Sequence, residues 1–374
     1  MSVETIDREG LMGRALALAE RGRGGVAPNP MVGAVLARAV GEDRYDIVAE
    51  GWHERFGGPH AEVVALEAAR QAGVDPRGLT MAVTLEPCSH HGKTAPCAEA
   101  LVQAGIGEAI VAMVDPFEAV RGRGIETLRN AGVAVRVGVG EAEASELVAP
   151  FVKRVTRGLP WVIAKWAQTI DGKIATRTGE SKWISGPAAR RLVHQWRGEV
   201  DAVMVGVGTA AADDAELTAR DAPPKRIARR IVVDPNLRLP PEAKLLQPGG
   251  PPTTVICGRA ARGELPGHVQ RLAVDADAQR GGLDLAAALR ELVTQHAITE
   301  VLVEGGAKLV GSLLEAGLVD ELRIFVGPKL LGDAEGRSPA AGSAKATLAD
   351  ASRWRCVEAT PVEGDALLRY VRSE

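Results

Sequence analysis

At 374 residues the chain exceeds what one ordinary core organises, so its length predicts two domains. Hydrophobic residues at 46 % and charged residues at 25 % describe an ordinary globular composition. The formal charge of −3 and 3 % aromatics leave neither a basic field nor a stacking platform for nucleic acid, so the expected partners are small molecules.

The opening MSVETIDREG is polar and acidic, and charges interrupt the following LMGRALALAERGRG. Neither a signal peptide nor a membrane span is expected, which predicts a cytoplasmic protein. In that reducing compartment, paired cysteines suggest metal ligands or catalysts rather than a disulfide. Cys257, in the apolar run TTVIC, and Cys356 are expected to be buried thiols without a function.

MVGAVLA (31–37) and YDIVAEG (45–51) are expected strands, HAEVVALEAARQAG (60–73) an amphipathic helix closed by Gly73, and LTMAVTLE (79–86) a buried strand. A helix from about Ala95 to Ala104, the strand EAIVAMV, a helix over 124–130 and the strand VAVRVGV (133–139) follow. This βαβ alternation predicts a mostly parallel sheet with helices on both faces. The stretch Glu141 to Gly158 is charged and helical. Pro160 then opens a second series: WVIAKWA, AVMVGVG, RIVVD, TTVICG, a helix over Leu285 to His296, and EVLVEGG. ELRIFVG, RCVEA and ALLRYV close the chain as expected antiparallel strands. Domains over 1–147 and 148–374 follow, with QPGGPP (247–252) a loop between strands.

Chemistry concentrates in TLEPCSHHGKTAPC, from Thr84 to Cys97, which holds two of the four cysteines and two of the seven histidines. His60-Ala61-Glu62 lies upstream, in the first turn of its expected helix, and Pro87-Cys88 ends a strand. Together they match the zinc-deaminase signature H-x-E with P-C-x-x-C, except that Cys97 follows Cys88 by nine positions instead of three. One imidazole and two thiolates leave zinc a fourth position for water, whose pKa the metal lowers toward ~7. Glu62 can then shuttle the proton to the ring nitrogen and to leaving ammonia. The competing reading is a closed structural site with His90 or His91 as fourth ligand. A surface role competes similarly for His53.

The run HAE…TLEPCSHHGKTAPC, preceded by PNPMVGAV, resembles the deaminase half of the bifunctional riboflavin-biosynthesis deaminase and reductase family. The resemblance implies a cytidine-deaminase-like three-layer α/β/α domain, with Zn²⁺ held by His60, Cys88 and Cys97 and catalysis by Glu62. It further implies that Asn29 and His53 hold the pyrimidine or ribose, and that His90 and Lys93 lie near the substrate's polar groups or phosphate. The departure is at Asp115-Pro116-Phe117. Phe117 stands where the family has asparagine, Glu118 replaces a proline, and Arg121 precedes Gly122, although Asp115 is kept.

KWAQTIDGKIA (165–175), GESKWIS (179–185), GVGTAAADDAELTAR (206–220) and VEGGAKLVGSLL (303–314) continue the resemblance into the family's reductase half. That half is similar to dihydrofolate reductase in fold, an α/β domain, and uses NADPH to convert a ribosyl into a ribityl side chain. By position, Ala167, Trp183, Thr209, Asp213 and Gly306, Ala307, Lys308, Leu309, Val310, Gly311 and Ser312 should contact the dinucleotide. Ser181, Arg197, Leu217, Arg220 and Glu304 should contact the substrate, where the forks of Arg197 and Arg220 suit a sugar phosphate. Ala215 replaces a usual proline, and Pro235 occupies a position where a serine-like cofactor contact can occur. From residue chemistry alone, Gly206-Val207-Gly208 offers a weak dinucleotide fingerprint, while Glu304-Gly305-Gly306 offers either a phosphate cradle or a plain helix cap.

The function so predicted is deamination of a phosphorylated pyrimidinone followed by hydride transfer, in a cytoplasmic homo-oligomer. A nucleobase-editing deaminase with an accessory binding domain is the alternative, opposed by the acidic balance. A zinc-stabilised scaffold without catalysis is a third reading.

Overall fold

The computed structural model describes residues 5–89, 96–118, 120–221, 223–342 and 345–373. The chain divides after Arg157 into two compact units. The first contains β1 (Thr5–Ile6), α1 (Arg8–Glu20), β2 (Gly33–Gly41), β3 (Arg44–Trp52), α2 (Ala61–Gln71), β4 (Thr80–Val83) and α3 (Cys97–Ala104). β5 (Glu108–Val111), α4 (Arg123–Asn130), β6 (Ala134–Val137) and α5 (Glu141–Arg157) complete it. The expected division at residues 147 and 148 thus falls within a continuous α5.

Strand order in the first sheet is β1-β3-β2-β4-β5-β6. The expectation of a mostly parallel sheet is corrected here, because β1, β3, β2 and β4 pair antiparallel and only β4-β5-β6 run parallel. A two-residue turn at Glu42-Asp43, with Asp43 at φ 54°, joins β2 to β3. Two residues can only reverse a chain, whereas a parallel pair needs a long crossover. Alternation along the strands makes two cores, as a period of two requires. Val35, Ala37, Ala82 and Ile110 face α1 and α5 through Leu11, Leu18, Leu147 and Val148. Ala34, Leu36, Met81 and Val83 face α2, α3 and α4 through Leu66, Leu101 and Leu128. The result is three layers, α/β/α.

The second unit opens with β7 (Trp161–Gln168), α6 (Pro187–Arg197), β8 (Ala202–Gly206), α7 (Val207–Asp213), β9 (Arg229–Val233), β10 (Thr253–Gly258) and β11 (Gln270–Val274). α8 (Leu285–His296), β12 (Glu300–Val303), α9 (Ala307–Glu315), β13 (Glu321–Val326), β14 (Trp354–Val362) and β15 (Asp365–Arg372) follow. Its nine strands are ordered β11-β10-β9-β8-β12-β7-β13-β15-β14. From β11 to β13 the pairs are parallel, and β15 and β14 add an antiparallel edge. One face packs Val162, Met204, Ile231 and Val301 against α8 and α9. The other packs Ile163, Val203, Val232 and Leu302 under Ala210, Leu217, Leu245 and Leu246. Cys257 is buried as expected, but Cys356 is exposed, because β14 is an edge strand with little covering either face. No helix among the described residues is long and apolar enough to cross a membrane.

Candidate active sites

In the first unit, His60 is the N-cap of α2, one residue outside the helix, and Cys97 is the first residue of α3. Cys88 lies in the loop after β4, which ends at Val83, earlier than the expected strand. His60 Nδ1 stands 3.6 Å from Cys88 Sγ and 3.3 Å from Cys97 Sγ, and the three ligand atoms lie within 4.8 Å of one another. Tetrahedral zinc bonded to one nitrogen and two sulfurs would hold those atoms about 3.5–3.8 Å apart, so the set fits that ion. The amide of Cys97 also donates to Cys88 Sγ at 3.3 Å. Contact with the Cys97 thiol, helped by His60, holds Cys88 down at about 4 against burial, while Cys97 is pushed up by Cys88, burial and Glu62. His60 is raised, foremost by Cys88. Close packing of the three groups thus favours the anionic form of Cys88, the form in which a sulfur binds metal.

Glu62 sits in the first turn of α2, 3 % exposed. Burial raises its pKa, with His60 opposing. His53 is buried, so the surface reading does not hold. Its Nδ1 lies 3.0 Å from the Pro59 carbonyl and its Nε2 3.2 Å from Asn29 Nδ2. Its ring meets that of His60 edge to face, with centroids 5.3 Å apart. Burial lowers the His53 pKa, which favours a neutral ring donating to Pro59 and accepting from Asn29. Asn29, His53, His60 and Glu62 are thus one contiguous group. His90 and Lys93, and the alternative ligand His91, lie outside the described residues.

Glu86 was missed from the sequence. Its buried carboxylate accepts four backbone N–H groups: Asp115 at 3.1 Å, Gly122 at 2.9 Å, Gly124 at 2.8 Å and Ile125 at 3.3 Å. At Gly124 a Cβ would stand 1.9 Å from the Pro87 carbonyl, so only glycine lets this backbone reach the segment carrying Cys88. Asp115 accepts the Phe117 N–H at 2.8 Å. Backbone groups therefore anchor the loop, which explains how Phe117, Glu118 and Arg121 can depart from the family pattern while its anchorage persists.

In the second unit, Glu304 directly follows β12, with its side chain 5 % exposed. Arg197 grips it with Nε at 2.5 Å and Nη2 at 2.9 Å, and Lys165 Nζ stands 3.6 Å away. Burial opposes ionisation of Glu304, but Arg197 and Lys165 prevail and hold it at about 2. Lys165 is lowered, chiefly by burial and then by Arg197, more than Glu304 can offset. The cluster holds two cations around one anion, so the lysine is its proton-releasing member. The expectation that the Arg197 fork binds phosphate is corrected, since Glu304 occupies that fork; Nη1 donates to the Thr218 carbonyl at 3.1 Å. Lys165 and His194 were not assigned from the sequence. The signal for the first was a lysine inside the apolar run WVIAKWA. His194 Nδ1 lies 3.2 Å from the Thr218 carbonyl and 3.1 Å from the Arg220 amide, supporting the loop that carries Leu217 and Arg220.

Leu217 is buried in the core beside α7 at φ 55°, and Arg220 is exposed, touching Glu216 at 3.2 Å. Trp183 is exposed, with Arg190 over its ring at 4.5 Å and Lys182 pairing with Asp213 at 2.7 Å, so Trp183 and Asp213 are neighbours. Ser181 is exposed in the same segment, and Ala167 lies on β7. Gly305 and Gly306 have φ of 121° and 90°, and Gly306 caps α9 facing Thr209. Of Gly306–Ser312, the first residues offer amides at the helix start, whereas Leu309, Val310 and Gly311 are buried. The Pro235 carbonyl accepts the Gly258 N–H at 3.0 Å, so its one polar group is committed to the fold.

The profile of the cytidine and deoxycytidylate deaminase zinc-binding region matches residues 5–113, and that of the RibD C-terminal domain matches residues 160–368. The riboflavin biosynthesis protein RibD of Aquifex aeolicus is 41 % identical over 333 residues, covering 88 % of this chain and 89 % of its own. RibD of Escherichia coli K12 is 40 % identical over 373 residues, covering 96 % and 98 %. The crystal structure of a diaminohydroxyphosphoribosylaminopyrimidine deaminase/5-amino-6-(5-phosphoribosylamino)uracil reductase from Thermotoga maritima superposes with a TM-score of 0.85 at 35 % identity, covering 98 % of each chain. RibD of Acinetobacter baumannii gives 0.83 at 36 % identity, covering 98 % and 99 %.

Proposed function

The chain belongs to the RibD family of riboflavin-biosynthesis proteins, and on that premise we propose how its residues divide two reactions between them. It is a bifunctional enzyme, with a zinc-binding deaminase domain followed by an NADPH-dependent reductase domain. The substrate we assign is the diamino-ribosylamino-pyrimidinone phosphate, whose ribosyl becomes ribityl in the second step. We take the enzyme to be a cytoplasmic homo-oligomer that acts without nucleic acid.

For deamination, zinc when bound supplies Lewis acidity that makes water a nucleophile near neutral pH. Glu62 takes one proton from the attacking water and delivers it to the ring nitrogen, and then carries the remaining hydroxyl proton to the amine, which leaves as ammonia. Asn29, steadied through His53, has its amide oxygen and one N–H left for the pyrimidine, and His90 and Lys93 serve the substrate's polar groups. For reduction, NADPH when bound supplies the hydride. Ala167, Trp183, Thr209, Asp213 and Gly306 to Ser312 form its cleft in this reading. Glu304, fixed by Arg197, accepts from a sugar hydroxyl, and Lys165 supplies the proton that opening the sugar ring demands. Ser181, Leu217 and Arg220 complete the substrate's surroundings, with Arg220 on the phosphate.

The observation that carries this reading is the convergence of His60, Cys88 and Cys97 within 4.8 Å, with the buried Glu62 two residues from a ligand. Metal analysis combined with NADPH oxidation on the deaminated pyrimidine tests it. One zinc per chain and oxidation dependent on that pyrimidine are expected; zinc-bound protein that turns over neither substrate would return the chain to a scaffold.

A further inference from the structure

Arg230 shares a face of β9 with Val232, because side chains two apart on a strand point the same way. Val232 belongs to the core with Leu217, Ala243, Leu245 and Leu246, so Arg230 stands at the margin of an apolar layer. The residue is 4 % exposed, and its Nε is buried with no hydrogen-bond partner. Other arginines of this unit are matched differently. Arg197 has Glu304, Arg226 has Asp201, and Arg323 and Arg369 share Glu321. Among the described residues, Arg230 makes no such ion pair. Glu216 attracts it from beyond pairing distance but is already engaged by Arg220 at 3.2 Å and Lys244 at 3.5 Å.

A buried guanidinium without a counter-ion is costly, and removing the cost takes an anion. Room for one exists. Arg230 lines an open groove of about 290 Å³ together with Glu216, Thr218, Lys244, Gln247 and Gly250. At Gly250 a Cβ would lie 2.9 Å from both Nη atoms of Arg230, so the turn brings bare backbone against the guanidinium. Lys244 Nζ, paired at 3.5 Å with both Asp214 and Glu216, keeps the Glu216 carboxylate neutralised, so the charge left for an anion is that of Arg230. The planar fork of an arginine matches two oxygens of a tetrahedral oxyanion.

We propose that this groove is a phosphate-binding site built on Arg230, distinct from the Glu304 cluster; if the substrate's own phosphate fills it, Arg230 and not Arg220 holds that group. Thr218 adjoins both places, as its carbonyl receives Arg197 while the residue lines the groove. Two sources share the required chemistry, free inorganic phosphate and the phosphate group of the pyrimidine substrate.

The test uses the full-length, zinc-loaded protein at constant ionic strength and reads melting temperature against inorganic phosphate, with chloride as control. Wild type should rise by roughly 3–8 °C at saturation. Arg230→Met should lose that response and, without phosphate, melt no lower than wild type, because an uncompensated charge has been removed. Should Arg230→Met not fold, Lys244→Met replaces it, with phosphate affinity expected to fall about tenfold. Arg259→Ala, which breaks an exposed pair with Asp275 away from this turn, should keep the response, which ties the response to Arg230 and its neighbours. KM for the phosphorylated pyrimidine then distinguishes the sources: unchanged in Arg230→Met for free phosphate, raised at least about tenfold for the substrate's own group. An equal phosphate response in wild type and Arg230→Met, with unchanged KM, overturns the proposal.

Discussion

Replacing Glu304 by glutamine should unfold the second unit far more readily than the loss of one charge suggests. The carboxyl is held at about 2 against an ordinary 4.5, which is worth roughly 3 kcal/mol to the folded state. Glutamine removes the anion and leaves Arg197 and Lys165 facing each other in the same buried space. Breaking such a cluster from one side costs about 3–5 kcal/mol. The pH dependence has a definite sign. A depressed carboxyl stabilises fully above its unfolded pKa, so the wild-type contribution should fade as pH drops from 4.5 towards 2, and Glu304→Gln should lack that acid limb. Burial lowers Lys165, so its ammonium is the strained partner once Glu304 is gone. Adding Lys165→Met in the glutamine background should therefore recover part of the loss. Urea unfolding followed by tryptophan fluorescence is the assay, because Trp161, Trp166, Trp183, Trp196 and Trp354 belong to this unit and only Trp52 to the other. A loss below about 1 kcal/mol, or a double variant less stable than Glu304→Gln, would refute the charge argument.

Glu62→Gln should keep zinc and lose deamination by roughly 10²–10⁴-fold; single-turnover activity within about twofold of wild type would remove Glu62 from proton transfer. Cys97→Ser should release the metal, since a neutral hydroxyl is a poor zinc ligand, and full zinc occupancy by metal analysis would move the third ligand elsewhere. Arg220→Ala should raise KM for the phosphorylated substrate while barely affecting the dephosphorylated one, with little loss of stability because its side chain is exposed and pairs with Glu216 at the surface; equal losses with both substrates would give the arginine another role. Fragments 1–157 and 158–374 should each fold by circular dichroism, the first deaminating without NADPH and the second reducing the deaminated pyrimidine; a folded second fragment unable to reduce it would mean that the reductase site needs residues from the first.

Much of the chemistry was legible because it is local. His60-Ala61-Glu62 and Pro87-Cys88 are short patterns, and the folded chain needs only to start α2 and α3 at one place for them to meet. α8 was legible end to end for a similar reason, its apolar period running from Leu285 to His296 with Asp284 as its cap. α1 was not read as a helix, because charges interrupt it, yet Leu11, Met12, Ala15, Leu18 and Ala19 make a single buried stripe and Asp7 caps its start. The antiparallel first strands were hidden by the turn Glu42-Asp43, which lacks the Asn-Gly or Asp-Gly pair that most strongly marks a hairpin.

What escaped the sequence altogether was the partnership of buried charges. Glu86 reads as one more residue of TLEPC, but its meaning lies in four amides between Asp115 and Ile125 that only the fold brings to it. Arg197 reads as a phosphate ligand until Glu304, 107 positions later, takes its fork. In both cases the side chain's type was visible and its direction was not. A guanidinium or carboxylate inside a protein must be matched, and its partner is chosen by strand order and helix approach rather than by neighbours in sequence. The same reasoning distinguishes Arg230 from Arg197: two arginines turned into the protein, one with its carboxylate supplied by the chain and one whose match has to come from solution.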